Sequence, residues 1–208
     1  MELIIATHND NKVKEIKDIL GGYFDKISSA KDVGVFEQVD EDGATFFDNA
    51  LKKAQALKKL FPSACVLSDD SGLCVDALGG APSINSNRFA VEGNDKANRD
   101  KLLAVLQGVT DRSARFVCCV VLIDEDGKVY SAQGETSGEI LRQEQGNGGF
   151  GYDCVFFSDD LKTSFGAASK EQKNSVSHRG RALNNLYRIL LKNGFFVKSN
   201  KNKKDANA

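Results

Sequence analysis

Residues 116–123, Phe-Val-Cys-Cys-Val-Val-Leu-Ile, are apolar at every position. A sheet face open to water imposes an alternation of apolar and polar residues, and this run has none. It therefore reads as a central strand covered on both faces. A chain holding such a strand must build a layer on each side of it. Asp126-Gly127 turns the run back into a partner strand over residues 128–133, as a hairpin. Residues 3–7 read as a buried first strand. Residues 9–20 follow as a helix, with Val13, Ile16, Ile19 and Leu20 on one face and Gly21-Gly22 at its end. A second helix spans residues 45–60, with Phe46, Phe47, Ala50, Ala54, Leu57 and Leu60 as its core stripe and Pro62 beyond it.

Residues 65–68 read as the next strand. Asn94 caps a third helix whose Leu102, Leu103 and Leu106 face inward, with Gly108 past its end. Residues 153–157 read as a strand. Residues 181–192 form the last helix, buried through Ala182, Leu183, Leu186, Ile189 and Leu190 and closed by Gly194. Strands alternating with helices, plus one antiparallel hairpin, predict an α/β protein with a mixed sheet. The 208 residues suit one large domain or two lobes sharing a core, and no internal repeat is visible. The domain is expected over residues 1–197, followed by a polar, disordered tail over residues 198–208.

A formal net charge of −1 argues against a nucleic-acid-binding surface, which shows as a basic excess. No apolar run reaches membrane-spanning length, and the N-terminus enters its first strand with no basic start. The expectation is a cytoplasmic protein that binds neither nucleic acid nor membrane. Five cysteines and two histidines, with no C-x-x-C pair, argue against a disulfide framework or a thiolate zinc site and predict buried thiols.

The chemistry concentrates in Ser68-Asp69-Asp70-Ser71-Gly72-Leu73, which follows the apolar Cys65-Val66-Leu67. Two adjacent carboxylates there need a cation, a substrate or open solvent to offset desolvation. A strand delivering both acids to its tip before turning on glycine suits metal-assisted phosphate chemistry. A solvated turn has the same composition. The stretch 6–12, Ala-Thr-His-Asn-Asp-Asn-Lys, joins the first strand to the first helix. It offers an anion the helix N–H groups, Thr7, Asn9 and Lys12, or else Asn9 is simply a cap and Lys12 is solvated.

Gly146-Asn147-Gly148-Gly149-Phe150-Gly151 formally satisfies G-x-G-x-x-G, but its glycines precede a strand instead of opening a helix, so the dinucleotide reading fails. Phe150 and Tyr152 offer rings on which a flat base stacks, or else belong to the core. Lys173, His178 and Arg179 stand before the last helix as a donor cluster or as solvated charge around a Ser177 cap. The acidic residues 37–42 are a solvated loop or a source of carboxylate ligands for a hard cation.

Five collinear motifs carry a resemblance. They are Ala6-Thr7-x-Asn9-x-x-Lys12, Thr45-Phe46-x-x-Asn49-Ala50-x-x-Lys53-Ala54, Ser68-Asp69-Asp70-Ser71-Gly72-Leu73-x-Val75-Asp76-Ala77-Leu78, Gly148-Gly149-Phe150-Gly151-Tyr152-Asp153 and Ser177-His178-Arg179-Gly180-x-Ala182-Leu183. In this order they resemble the Ham1-like inosine triphosphate pyrophosphatases, also called XTP/dITP diphosphatases, over all but the tail.

The resemblance implies a two-lobed fold of the Ham1/Maf type with a cleft between lobes. It further implies Mg²⁺-dependent hydrolysis of non-standard purine nucleoside triphosphates (dITP, ITP, XTP) to monophosphate and pyrophosphate, in a homodimer. By motif, Thr7, His8, Asn9, Asp10, Asn11 and Lys12 would hold the triphosphate, with Lys53 adding charge. Glu41 and Asp70 would bind metal, Asp70 doubling as general base, and Ser71 would touch substrate. Phe150, Gly151, Tyr152, Asp153, Lys173, His178 and Arg179 would form the base and sugar pocket. The rivals are a Maf-like pyrophosphatase for other nucleotides and a nucleotide sensor without catalysis. The chain departs from the family's usual pattern at Asp48 (glutamate), Ser83 (glycine), Cys154 (proline) and Gly166-Ala167 (Ala-Glu).

Overall fold

The computed structural model describes residues 1–196; the tail expected over residues 198–208, with residue 197, lies outside the described residues. Seven strands are present among them: β1 (Glu2–Ile5), β2 (Lys26–Ser29), β3 (Cys65–Val75), β4 (Ser113–Ile123), β5 (Val129–Ile140), β6 (Phe156–Ser158) and β7 (Thr163–Ser164). They form one mixed sheet in the order β2-β1-β3-β4-β5-β6-β7. β1 runs parallel to β2 and β3, and every pairing from β3 outward to β7 is antiparallel. The helices are α1 (Asp10–Leu20), α2 (Phe46–Leu60), α3 (Asp95–Val105), α4 (Lys170–Val176) and α5 (His178–Lys192).

The continuous apolar character of β4 has the expected cause. Cys118, Val120 and Leu122 join Leu3, Ile5 and Leu67 against α1 and α5, while Val121 and Ile123 join Ile4 and Val66 against α2. At the other end of the β3–β4 ladder, Leu73, Val75, Ala114 and Phe116 pack with Phe156, Phe165 and the α3 residues Leu102 and Leu106. One long antiparallel ladder thus joins two separately packed ends. All five cysteines are buried and unbridged.

The two acids are not at a strand tip. β3 continues through them to Val75 because β4 pairs with it across the whole stretch, Asp69 opposite Val120 and Asp70 opposite Cys119. What ends there is β1, whose last partner on β3 is Leu67. Beyond that point β3 loses one strand neighbour. Gly72 is correspondingly no turn residue. A Cβ there would stand 2.1 Å from the Ser83 carbonyl oxygen, so glycine admits the 3-10 turn Ser83–Arg88 against the strand.

Five other differences are local. Residues 153–157 are a 3-10 turn, Asp153–Val155, and only then β6. The last helix starts at His178, before the expected residue 181, because Ser177 caps it by accepting from the Gly180 N–H. The unexpected α4 is closed by a capping box between Ser169 and Gln172, and the short edge strand β2 gives too little periodicity to be seen. The hairpin strand β5 extends past residue 133 to Ile140, paired with β4 throughout.

Helix α5 lies backbone against backbone on β5 at Gly134. A Cβ there would meet the Ala182 nitrogen at 2.3 Å and the His178 carbonyl oxygen at 2.4 Å. That approach seats the first turn of α5 and hence Arg179. Gly134→Ala is expected to cost about 1–3 kcal/mol, the usual penalty for overpacking, measured by urea denaturation. An unchanged midpoint would mean that α5 lifts from the sheet freely.

Candidate active site

Successive strand residues point to opposite faces, so Asp69 and Asp70 are neighbours in sequence and not in environment. Asp69 faces α1 and α5. Its Oδ2 lies 3.1 Å from Lys12 Nζ and accepts from Arg179 Nε and Nη2 at 3.1 and 3.0 Å. Burial opposes its ionisation, but Lys12, Arg179 and Lys53 overcome this and hold its pKa well below the usual carboxylate range.

Arg179 is almost fully buried. It also donates from Nη1 to Glu15 and from Nη2 to Ser71 Oγ at 3.0 Å. Glu15 in turn accepts from Lys173 Nζ at 2.8 Å, and Lys173 donates to Asp153 Oδ2 at 2.7 Å. A buried ionic chain therefore runs from Lys12 on α1 to Asp153 beside the glycine-rich loop. Burial works against the charge on Glu15, but Arg179 and Lys173 prevail and lower its pKa.

Asp70 faces α2, where Asn49 Nδ2 donates to its Oδ2 at 3.1 Å and the Ser71 N–H to its Oδ1 at 3.0 Å. Lys53 Nζ stands 3.7 Å from Asp70 Oδ1 and 2.7 Å from Glu41 Oε1. Here burial prevails over the attraction of Lys53 and Lys12, and the Asp70 pKa rises. Burial also disfavours the Lys53 charge, but Asp70 and Glu41 more than offset it, so Lys53 stays protonated. Across the ladder from Asp70, burial pushes the Cys119 thiol up to about 11, which leaves it no thiolate chemistry at neutral pH.

No group of three or more His, Cys, Asp or Glu among the described residues is arranged to hold a metal by itself. Glu41 and Asp70 nevertheless fit Mg²⁺, which takes one or two carboxylates and completes its shell with substrate phosphates and water. Asp70 is a buried carboxylate whose desolvation outweighs the attraction of Lys53 and Lys12, and such an ion would offset it. Asp48 plays no such part: its Oδ2 accepts from Thr45 N and Oγ1 at 3.0 and 2.7 Å in the capping box of α2.

The other expected residues divide. Asn9 caps α1, its Oδ1 accepting from the Asn11 and Lys12 N–H groups, which is the capping alternative, but Lys12 is not solvated and pairs with Asp69. Thr7 Oγ1 accepts from the Asn9 N–H, His8 Nε2 bonds the Val35 carbonyl, and the exposed Asp10 pairs with Lys31. Tyr152 belongs to the core, with its hydroxyl on the Ser86 carbonyl. Asp153 is buried and also accepts from the Phe150 N–H, and Gly151 turns the chain at φ +60°.

Phe150 does reach the site, under Lys173 Nζ at 4.7 Å and Arg179 at 5.8 Å. His178 stacks on Phe116 at 4.7 Å with Nδ1 unpartnered, and burial, then Arg179 and Lys173, drive its pKa well down. It is a neutral imidazole, not the third cation expected. Lys173 and Arg179 are not free donors either, since carboxylates already hold them.

Sequence reasoning missed Glu15, Asn49 and Arg88. Glu15 sits one turn after Lys12 on the inner side of α1, next to Ile16, and only that placement hints at burial. Asn49 is completely buried and joins Asp70 to the Gly43 N–H, at the end of the acidic loop. Arg88 holds the same loop through the Glu41 carbonyl at 2.9 Å.

Residues 3–189 match the sequence model of the Ham1 family. The chain belongs to the Ham1 family. A dITP/XTP pyrophosphatase of Clostridium tetani is 46% identical over 187 residues, covering 88% of this chain and 93% of that one. The enzyme of the same name from Desulforamulus reducens is 45% identical over 193 residues, covering 91% and 96%. Among solved structures, the Staphylococcus aureus Ham1 protein superposes with a TM-score of 0.81 at 38% identity, over 93% of this chain and 100% of that one. A Ham1 protein from Coxiella burnetii gives 0.81 at 32% identity, over 92% and 99%.

The charge chain predicts that the two adjacent acids of this Ham1 family member respond oppositely to loss of charge. Asp69→Asn leaves Arg179 short of a partner and is expected to destabilise the fold by about 3–5 kcal/mol, as breaking a buried ion pair does. Because the Asp69 pKa is depressed on folding, its contribution is full above the ordinary carboxylate range and is lost only as pH falls below it. Denaturant melts of wild type and variant from neutral pH into acid should therefore converge. Parallel curves would show that Asp69 carries no such linkage.

Proposed function

We propose that this protein hydrolyses non-standard purine nucleoside triphosphates of the dITP, ITP and XTP class to the monophosphate and pyrophosphate, with Mg²⁺, as a homodimer in the cytoplasm. The observation that carries the reading is Asp70. It is a buried carboxylate of raised pKa, oriented by Asn49 and the Ser71 N–H, on the part of β3 beyond the end of β1. The dITP/XTP pyrophosphatase names of relatives at more than 40% identity support the substrate class.

The chemistry follows from charge. A triphosphate repels an attacking hydroxide, so the site must neutralise it, and Lys12 beside Asp69 and Lys53 beside Asp70 put a cation on each face of the sheet. Asp70 takes a proton from a water in line with the α-phosphorus, and its raised pKa makes it the stronger base. Pyrophosphate is then the leaving group. Mg²⁺ held by Glu41 and Asp70 would supply further charge neutralisation.

Phe150 offers the base a stacking face. An ammonium has three N–H donors, and Lys173 commits two to Glu15 and Asp153. The third favours the O6 acceptor of hypoxanthine or xanthine over the amino group of adenine. Glu15 and Asp153 then serve to aim that donor.

Purified protein given dITP, XTP, dATP and dGTP is expected to release monophosphate and pyrophosphate in equal amounts from the first two. Stepwise release of orthophosphate would overturn the reading, and light scattering at the mass of one chain would overturn the dimer.

Asp70→Asn is expected to cut turnover about a hundredfold or more while the protein stays folded. The sign of its stability effect is fixed by the raised pKa. Above that pKa the ionised carboxylate costs stability, so the neutral amide should melt no lower than wild type at neutral pH. Near-normal turnover in this variant would move the base elsewhere.

A further inference from the structure

Helix α3 takes no part in the chemistry above, yet it grips the glycine-rich loop at both ends. Asp95 Oδ2 accepts from the Gly151 N–H at 2.8 Å. One turn later, Arg99 Nη1 donates to the Gly151 carbonyl at 2.9 Å and Nε to Glu144 Oε1 at 2.7 Å. A single glycine residue is thus bound through both its N–H and its C=O, on the two peptide units that flank its Cα, by two side chains of one helix face at the i and i+4 positions that lie together. Gly151 has φ +60°, a conformation costly for other residues but open to glycine.

The neighbouring residue is Phe150. Its N–H is bound from the opposite side by Asp153 Oδ2, the oxygen that also takes Lys173 Nζ. Phe150 is therefore pinned between α3 and the Lys173 head group, which sits 4.7 Å from its ring centre. The helix is a firm post for this purpose. Leu102 and Leu106 anchor it in the core, and the buried Asn98 ties it to Asn87, Ala90 and Val91.

We propose that Asp95 and Arg99 form a clip on the Gly151 peptide that sets the Phe150 ring, and so act as positioning residues for the purine base. The proposal deepens the function above and rests on that reading of Phe150. Neither residue lies near the carboxylates that flank Lys53, so the clip governs base affinity and leaves the phosphate end alone.

Calorimetric titration with inosine monophosphate and, separately, with pyrophosphate divides the two ends of the site. Arg99→Ala and Asp95→Ala are expected to weaken the monophosphate about tenfold with pyrophosphate affinity unchanged, and to raise KM for ITP with little change in kcat. Asp95→Asn, whose amide oxygen still accepts from Gly151, should restore the affinity lost in Asp95→Ala. In a Phe150→Ala background, Arg99→Ala should add nothing further, because the ring it positions is gone.

Wild-type monophosphate affinity in both alanine variants would overturn the clip. Equal losses for both ligands, or additive effects with Phe150→Ala, would do the same by making the role a general structural one. A wild-type protein that binds neither ligand would overturn the clip together with the functional reading beneath it.

Discussion

Arg179 is the residue on which the site's architecture turns. Its guanidinium is buried between Glu15 of α1 and Asp69 of β3, and its own helix is pressed onto β5 at Gly134. Removing a charge from water costs several kcal/mol, and the cost is met only where partners stand in the right geometry. Three elements distant in sequence must therefore arrive together before this side chain can be accommodated. The same condition brings Lys12 beside Asp69 and, through Glu15, aims Lys173 at Asp153 and Phe150. A stable charge cluster and a positioned base pocket are one construction.

The second constraint is the unequal length of neighbouring strands. β1 stops opposite Leu67 while β4 continues along the whole of β3. The acids are held by one ladder and have no strand neighbour on the other side. The two-residue period of a strand then divides their labour. Asp69 points into a field of three cations and stays ionised as an anchor, whereas Asp70 points towards Asn49 and Lys53, where burial prevails and its basicity rises. Adjacent residues of one type thus acquire opposite roles from the faces they occupy.

Several polar groups that invite a functional reading are consumed locally. Asn9 and Ser177 close helix ends, Asp48 completes a capping box, and the Tyr152 hydroxyl satisfies a buried carbonyl. Each does so because an unpaired backbone group costs more than the side chain loses by leaving solvent. Outside these local roles stands a smaller set: Lys12 and Lys53 beside the two acids, and Phe150 under Lys173.

The sequence by itself determined the layered α/β architecture, because an all-apolar strand and amphipathic helices state which surfaces must be covered. It also determined the cap at Asn94, which depends on residues three apart. The family was legible in five ordered motifs. Only the tertiary structure decided that β3 runs through its acids, since that depends on where β1 ends and β4 does not. Only it revealed Glu15, whose burial is set by helices α4 and α5 arriving some 160 residues later in the chain. Charge state follows the same rule: the opposed pKa shifts of Asp69 and Asp70 come from which elements surround each face, and no segment read alone contains its neighbours.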